Sequence, residues 1–126
     1  MVWVFENDQP IYTQLVDQIK VAIVSGELPP GARMPAVREL SLEAGVNPNT
    51  MQRALQQLER EELVYAQRSA GRFVTEDTAV IARVREALAA EKVRRFREAM
   101  RALGCGEEEM RTLLFGSGEG QNGNLS

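Results

Sequence analysis

The 126-residue sequence contains no histidine and only one cysteine, Cys105. A single cysteine cannot form a disulfide within the chain, and a zinc site of the usual Cys/His type is nearly ruled out. The lack of histidine also weakens the case for an enzyme, because histidine is the most frequent general acid or base. We therefore expect no catalytic residues, no metal and no cofactor.

A long hydrophobic run is also missing, since no stretch approaches the roughly 18 consecutive apolar residues of a membrane span. The apolar residues 1–5 are too few, and too soon followed by acidic residues, to form a signal peptide. The composition, 44% hydrophobic and 26% charged, is typical of globular proteins. We expect a cytoplasmic protein with no membrane partner.

The chain lacks a positive net charge: its formal value is −3, which is unfavourable for a protein that neutralises phosphates. The distribution of charge matters more than this sum. Between residues 33 and 75, six arginines stand against five glutamates, so only a fold that separates the two signs would create a basic face. The arginines are Arg33, Arg38, Arg53, Arg60, Arg68 and Arg72.

Residues 40–58 are the most informative stretch, because they predict a helix, a tight turn and a second helix. Gly45 suits the left-handed conformation that ends a helix, Asn47 can cap the next one, and Pro48 fits its first position. Apolar residues then recur at steps of three and four, which predicts one buried stripe. That stripe consists of Met51, Ala54, Leu55 and Leu58.

The opposite side of the second helix carries amide and guanidinium groups, which suit bidentate hydrogen bonds to purine edges. These groups belong to Asn49, Arg53, Gln56 and Arg60. A solvated helix face is the simpler alternative. The caps and the tight turn favour a DNA recognition helix.

The flanking segments predict the rest of a small domain. A helix from Pro10 ends before Gly26, and residues 63–66 and 72–74 predict a β-hairpin with Arg68 at its tip. The helix that opens at residues 35–40 has an acidic residue where a capping box needs one, but alanine stands at the capping position itself.

A long helix is predicted over residues 77–103. At about 1.5 Å per residue it would be roughly 40 Å long, which is longer than a small domain needs. Its apolar stripe favours packing against a second subunit through Ile81, Val84, Leu88, Val93, Phe96, Met100 and Leu103. Phe96 and Met100 could instead line an effector pocket, although core packing is the commoner use of such residues. A short helix should follow, and residues 116–126 have the composition of a disordered tail.

Five segments in one register resemble the GntR family of bacterial transcription regulators. They are Pro-Ile-Tyr at 10–12, Gly-Glu-Leu-Pro-Pro-Gly at 26–31, Pro-Ala-Val-Arg-Glu-Leu at 35–40, Gly-Val-Asn-Pro-Asn-Thr at 45–50 and Gly-Arg-Phe-Val at 71–74. The short helical remainder is similar to the YtrA-like subfamily. The resemblance implies a winged helix-turn-helix, a homodimer on a palindromic operator, and usually repression.

The resemblance also assigns the DNA-contacting positions. It places Arg38 at the start of the second helix and a polar run at the start of the recognition helix. The wing positions resemble those from which an arginine enters the minor groove. The full set is Arg38, Asn47, Asn49, Thr50, Arg53, Arg68 and Gly71. Three residues depart from the family pattern: Ala36 replaces a serine, Ser69 a glycine and Ala70 a frequent lysine.

We therefore predict a mostly α fold with a small β wing. Residues 1–76 would form the winged helix-turn-helix domain, 77–115 a two-helix dimerisation segment and 116–126 the tail. The predicted function is sequence-specific DNA binding as a homodimeric repressor on an inverted repeat. A winged-helix module that binds a protein instead of DNA is the alternative, and an effector is left open.

Overall fold

The computed structural model describes residues 1–117 as five helices and one two-stranded antiparallel sheet. The predicted mostly α fold with a small β wing is confirmed. Of the tail predicted at 116–126, residues 118–126 lie outside the described part. In chain order the elements are α1 (Ile11–Val24), α2 (Val37–Ala44), α3 (Pro48–Arg60), β1 (Val64–Gln67), β2 (Gly71–Val74), α4 (Thr78–Ala102) and α5 (Glu107–Phe115).

The chain forms two compact units, one from Met1 to Ala87 and one from Leu88 onward, so the division falls inside α4. The first turns of α4 belong to the first unit because Val80 is buried in its core and Ile81 and Val84 pack against that core. The domain boundary after residue 76 stays a prediction.

Helices α1 and α3 build the core of the first unit. Leu15 and Ile19 of α1 are fully buried, as are Met51 and Leu55 of α3. The apolar stripe predicted for α3 is thereby confirmed. Removing a leucine side chain from water contributes roughly 1.5–3 kcal/mol, so this packing fixes the depth at which α3 lies and leaves its polar side outward.

The turn between α2 and α3 has the predicted geometry. Gly45 has φ 71°, in the left-handed region where a side chain is unfavourable, and its N–H donates to the carbonyl oxygen of Ser41 at 2.9 Å. Asn47 Oδ1 accepts a hydrogen bond from the backbone N–H of Asn49 at 2.7 Å, and Pro48 is the first residue of α3. The cap and the proline together determine where α3 begins.

Strand β2 lies between two neighbours. On one edge it pairs with β1, with Val64 opposite Val74 and Gln67 opposite Gly71. On the other edge an isolated bridge joins Arg33 to Phe73, and the N–H of Met34 donates to the carbonyl oxygen of Arg72 at 2.8 Å. The segment after the proline turn therefore supports the wing, which the sequence did not reveal.

The first residues of the chain are held against α1 by two glutamines. Gln18 Oε1 accepts from the N–H of Val4 at 3.0 Å, and its Nε2 donates to the carbonyl oxygen of Val4 at 2.7 Å. Gln14 makes the same pair of bonds with the backbone of Glu6, at 2.7 and 2.9 Å. The side-chain amides thus replace a neighbouring strand.

Candidate nucleic-acid interface

Helix α3 presents its polar side to solvent over its first two turns. Asn49 and Arg53 are exposed and Thr50 is half-buried, while Met51 between them is fully buried. The Asn47 cap satisfies a backbone donor of the first turn. The structure thus holds these polar residues on the first two turns of α3, and the N-terminal part of a groove-binding helix is where base contacts are made.

The arginines between residues 33 and 75 separate into two groups. Arg72 pairs with Glu59, Nε to Oε2 at 2.5 Å, and Arg60 donates through Nε and Nη2 to Oε1 of Gln57. Within residues 1–117, no ion pair involves the remaining four, all of which are exposed: Arg33, Arg38, Arg53 and Arg68. The fold therefore leaves part of its positive charge free for an outside anion, which the net charge of the chain conceals.

Arg53 has an aromatic neighbour from another helix. Its guanidinium carbon lies 4.6 Å from the centroid of the Tyr12 ring, near the start of α1. The Tyr12 hydroxyl donates to Oε1 of Gln57, one turn further along α3, at 3.3 Å. Sequence reasoning placed Tyr12 in a family motif but gave it no role, because the contact joins residues far apart in the chain.

The start of α2 and the wing line one cleft of about 500 Å³. Arg33, Ala36 and Gly71 lie on its walls. Gly71 has φ 108°, and a Cβ there would lie 3.2 Å from Nε of Arg33. The positive φ favours glycine at this position, and the side chain of Arg33, a basic residue that was not among the predicted contacts, lies close beside it.

The N-terminus of α2 has half of a capping box. Oε1 of Glu39 accepts from the N–H of Ala36 at 3.3 Å. Ala36 offers no side-chain oxygen in return, so the predicted loss of the reciprocal bond is confirmed. The exposed Arg38 lies in this first turn.

The wing forms its turn with Ser69 at the position where the resemblance described above led us to expect glycine. Ser69 has φ 66°, and the N–H of Ala70 donates to the carbonyl oxygen of Gln67 at 3.0 Å. Arg68, at the tip, is exposed. The backbone at Ser69 is therefore in a conformation that is strained for a residue with a side chain. The DNA contacts of Arg68 and Gly71 in the wing stay predictions.

The second unit exposes many apolar side chains. A cleft of about 370 Å³ lies between the second half of α4 and α5, with Phe96, Met110 and Leu114 among its lining residues. Met110 is buried, whereas the exposed large apolar residues of this unit are Val93, Phe96, Leu103, Leu113, Leu114 and Phe115. Exposed apolar side chains concentrated in this way are typical of surfaces that bind a partner.

Other chemistry receives no support from the part of the chain that the structure describes. No group of three or more His, Cys, Asp or Glu residues is arranged to hold a metal ion there. None of the described helices is both long and apolar enough to span a membrane. Burial, with the carboxylate of Glu109 nearby, raises the pKa of the Cys105 thiol, which disfavours the reactive thiolate.

Comparison with known proteins gives consistent relatives. Residues 11–74 match the family described as bacterial regulatory proteins, gntR family. The HTH-type transcriptional regulator YhcF of Bacillus subtilis is 38% identical over 84% of this chain and 88% of that protein. The HTH-type transcriptional repressor YtrA of the same organism is 37% identical over 56% of this chain and 55% of its own length.

Solved structures agree with these relatives. A GntR family transcriptional regulator from Listeria monocytogenes superimposes with a TM-score of 0.80 at 34% identity, over 87% of this chain and 96% of that one. The DNA-binding domain of AraR in complex with its operator aligns with a TM-score of 0.55 at 26% identity, over 60% of this chain and 96% of that one. The chain belongs to the GntR family, whose members are DNA-binding transcriptional regulators and not enzymes.

Proposed function

We propose that this transcriptional regulator represses its target genes by binding an inverted-repeat operator as a homodimer. The observation that carries the proposal is the set of exposed arginines outside any ion pair of the described chain, beside a capped recognition helix. Arginines free of internal partners can neutralise phosphates, which supplies most of the affinity for DNA. The bacterial cytoplasm, where the DNA lies, is then the place of action.

The contacts divide by role. Arg38, Arg68 and the backbone at Gly71 position the domain on the sugar-phosphate backbone and the minor groove. Asn49 and Arg53 read base edges in the major groove, since amides suit adenine and guanidinium groups suit guanine. Thr50 and Asn47, at the helix start, add contacts to nearby phosphates.

The second unit supplies the dimer. Leu88, Val93, Phe96, Met100 and Leu103 of α4 would pack against the same residues of a second copy, with the apolar side of α5 beside them. Ile81 and Val84, predicted for the same interface, pack against the core of their own chain and would contribute only their exposed parts. Two-fold symmetry then places the recognition helices about 34 Å apart, one turn of DNA.

The alternative of a winged helix that binds a protein and no DNA is not favoured. The family consists of DNA-binding regulators, and the AraR domain was solved on its operator. The small excess of arginine over glutamate between residues 33 and 75 was the argument for this alternative. It carries less weight because the structure leaves several of these arginines exposed and outside any ion pair of the described chain.

Replacing Arg53 with alanine tests the proposal. The probe is a duplex enriched by this protein from a random pool, and random duplex DNA is the reference. We expect Arg53→Ala to weaken binding to the enriched duplex by about 1–3 kcal/mol and to leave the oligomeric state unchanged.

Arg83→Ala is the matched control, because Arg83 is an exposed arginine on α4 that takes part in no ion pair within residues 1–117. Its affinity for both duplexes should equal that of the parent protein. Equal affinity of Arg53→Ala and the parent for the enriched duplex would exclude the proposed role of Arg53. Affinity for random DNA that does not fall as salt rises would contradict DNA binding through phosphates.

A further inference from the structure

We infer that Tyr12 is a positioning residue for DNA recognition, which holds the Arg53 guanidinium ready for a base edge. This inference rests on the proposed role of Arg53. Tyr12 belongs to α1, which carries none of the predicted DNA contacts, and acts through its ring. The observation is the stack of Arg53 over that ring at 4.6 Å.

The stack engages Arg53 without consuming its hydrogen-bond donors. The N–H groups of a guanidinium point outward in its plane, whereas a ring beneath it contacts only its face. A carboxylate partner would occupy those donors, and the described chain contains no ion pair to Arg53. Tyr12 therefore restrains the side chain while leaving its donors available to a base.

The ring itself is fixed at both ends. Its body packs against the core of the first unit, and its hydroxyl donates to Oε1 of Gln57 at 3.3 Å. Gln57 follows Arg53 by one helical turn, so the two residues lie on the same side of α3. The ring thus spans the space between them and cannot swing away from Arg53 without losing a hydrogen bond.

Gln57 is held in turn by its neighbours. Its Nε2 donates to Oε2 of Glu61 at 2.7 Å, and Lys20 of α1 lies 2.7 Å from Oε1 of the same carboxylate. Arg60 also donates to Oε1 of Gln57. A polar chain therefore joins α1 to α3 along the side that carries Arg53, and its members determine where the Tyr12 hydroxyl binds.

Preorganisation should appear as specific affinity. A free arginine loses rotamer entropy when it binds a base, whereas a stacked one has lost part of it already. Since Tyr12 is uncharged, its loss leaves phosphate neutralisation unchanged. The inference therefore predicts a lower affinity for the enriched duplex and an unaltered affinity for random DNA.

The experiment compares Tyr12→Leu, Tyr12→Phe, Arg53→Ala and the double variant Tyr12→Leu/Arg53→Ala in the whole chain. Each is titrated with the enriched duplex and with random duplex DNA, after urea unfolding has given its folded fraction. Tyr12→Leu should lose roughly two- to fivefold in affinity for the enriched duplex, the range of an exposed cation–π contact. Tyr12→Phe keeps the ring and should stay within about twofold.

The double variant separates positioning from general packing. If Tyr12 acts through Arg53, the leucine substitution has no further effect once Arg53 is alanine. An equal loss on both duplexes, or an undiminished loss in the Arg53→Ala background, would overturn the inference and leave the proposed function intact. If Arg53→Ala binds the enriched duplex as tightly as the parent protein does, Arg53 makes no important base contact. Tyr12 would then have no role in positioning it.

Discussion

Two non-glycine residues of the described chain have backbones in the left-handed region, which is unfavourable for residues other than glycine. Ser69 at the wing tip and Glu62 after α3 are the non-glycine residues with positive φ in the described chain, each at 66°. Glu62 follows the end of α3, and its N–H donates to the carbonyl oxygen of Glu59 at 3.0 Å. The N–H of Leu63 donates to the carbonyl oxygen of Leu58, also at 3.0 Å. This is the bond pattern that usually places glycine at the position of Glu62.

Ser69→Gly should stabilise the protein by roughly 0.5–1 kcal/mol. Relief of left-handed strain, about 1–2 kcal/mol, exceeds the entropy that glycine adds to the unfolded chain. Urea unfolding measures the change. Ala70→Gly is the matched control, because Ala70 lacks a positive φ and its replacement should destabilise. A Ser69→Gly variant no more stable than the parent would show that the turn carries no strain.

Residue-scale features were predictable where the physics is local. The Asn47 cap, the left-handed Gly45 and the cap at Asp77, whose Oδ1 accepts from the N–H of Ala79 at 3.0 Å, are set by neighbours in sequence. The positions of Tyr12 and Arg33 were not predictable, because each depends on packing between segments about forty residues apart.

At the scale of elements, the N-terminal segment, residues 1–9, is bound by side chains instead of a sheet. Gln14 is 8% exposed and satisfies both backbone groups of Glu6. Side chains in this segment alternate in exposure: Met1, Trp3 and Phe5 are half-buried, and the two valines between them are exposed. The sequence showed this alternation, but it did not reveal which element the segment packs against.

Gln14→Ala should destabilise the first unit by about 1–3 kcal/mol, because the partly buried N–H and carbonyl of Glu6 lose their partners. Chemical unfolding gives the value. Gln18→Ala removes an equivalent pair of bonds to Val4 at an exposed place, so water replaces the amide and the loss should be smaller. Equal losses in the two variants would contradict the role of burial.

Helix α4 carries an acid-sensitive cluster. Hydrogen bonds from Arg94 and Arg95 lower the pKa of Glu91 to about 2 from its ordinary 4.5. A carboxyl group whose pKa is lower in the folded protein than in the unfolded chain stabilises the folded state at pH values above the unfolded-state pKa. That stabilisation is lost as the pH falls through the folded-state pKa. The helical signal in circular dichroism should therefore weaken as the pH falls from about 4.5 to about 2.

Glu91→Gln should flatten this dependence, because the amide does not titrate. Glu86→Gln is the control on the same helix, since Glu86 takes part in no ion pair within residues 1–117. Because the Glu91 side chain is 42% exposed, added salt should reduce the effect in the parent protein. A parent and a Glu91→Gln variant with the same acid profile would exclude the cluster as its source.

At the scale of the whole molecule, the chain consists of two units that expose different kinds of side chain. The first unit exposes arginines around a recognition helix, and the second exposes apolar side chains on α4 and α5. The division at Ala87 lies inside a continuous helix. Helical periodicity predicted the length of α4, but the apolar stripe did not show which of its residues serve the chain's own core.

Phe96→Glu/Met100→Glu should convert the proposed dimer to monomers in sedimentation experiments and abolish tight binding to the enriched duplex. Charges in an apolar interface are costly to desolvate, and a lone subunit holds one half-site only. Ala87→Glu/Ala102→Glu is the matched control, because both alanines are exposed and the helical repeat places them away from the apolar side of α4. A dimer that persists in the Phe96 variant would refute the interface.

The N-terminal segment also contains a tryptophan whose fluorescence can report whether the segment is packed against the domain. Trp3 is the single tryptophan of the sequence, its indole N–H donates to Oε1 of Glu43 on α2 at 2.9 Å, and its ring stacks on Phe5. Tryptophan fluorescence therefore arises from one place, beside α2, the first helix of the helix-turn-helix. Undocking of the segment would be seen as a shift of the emission toward that of solvated indole, with no dye attached.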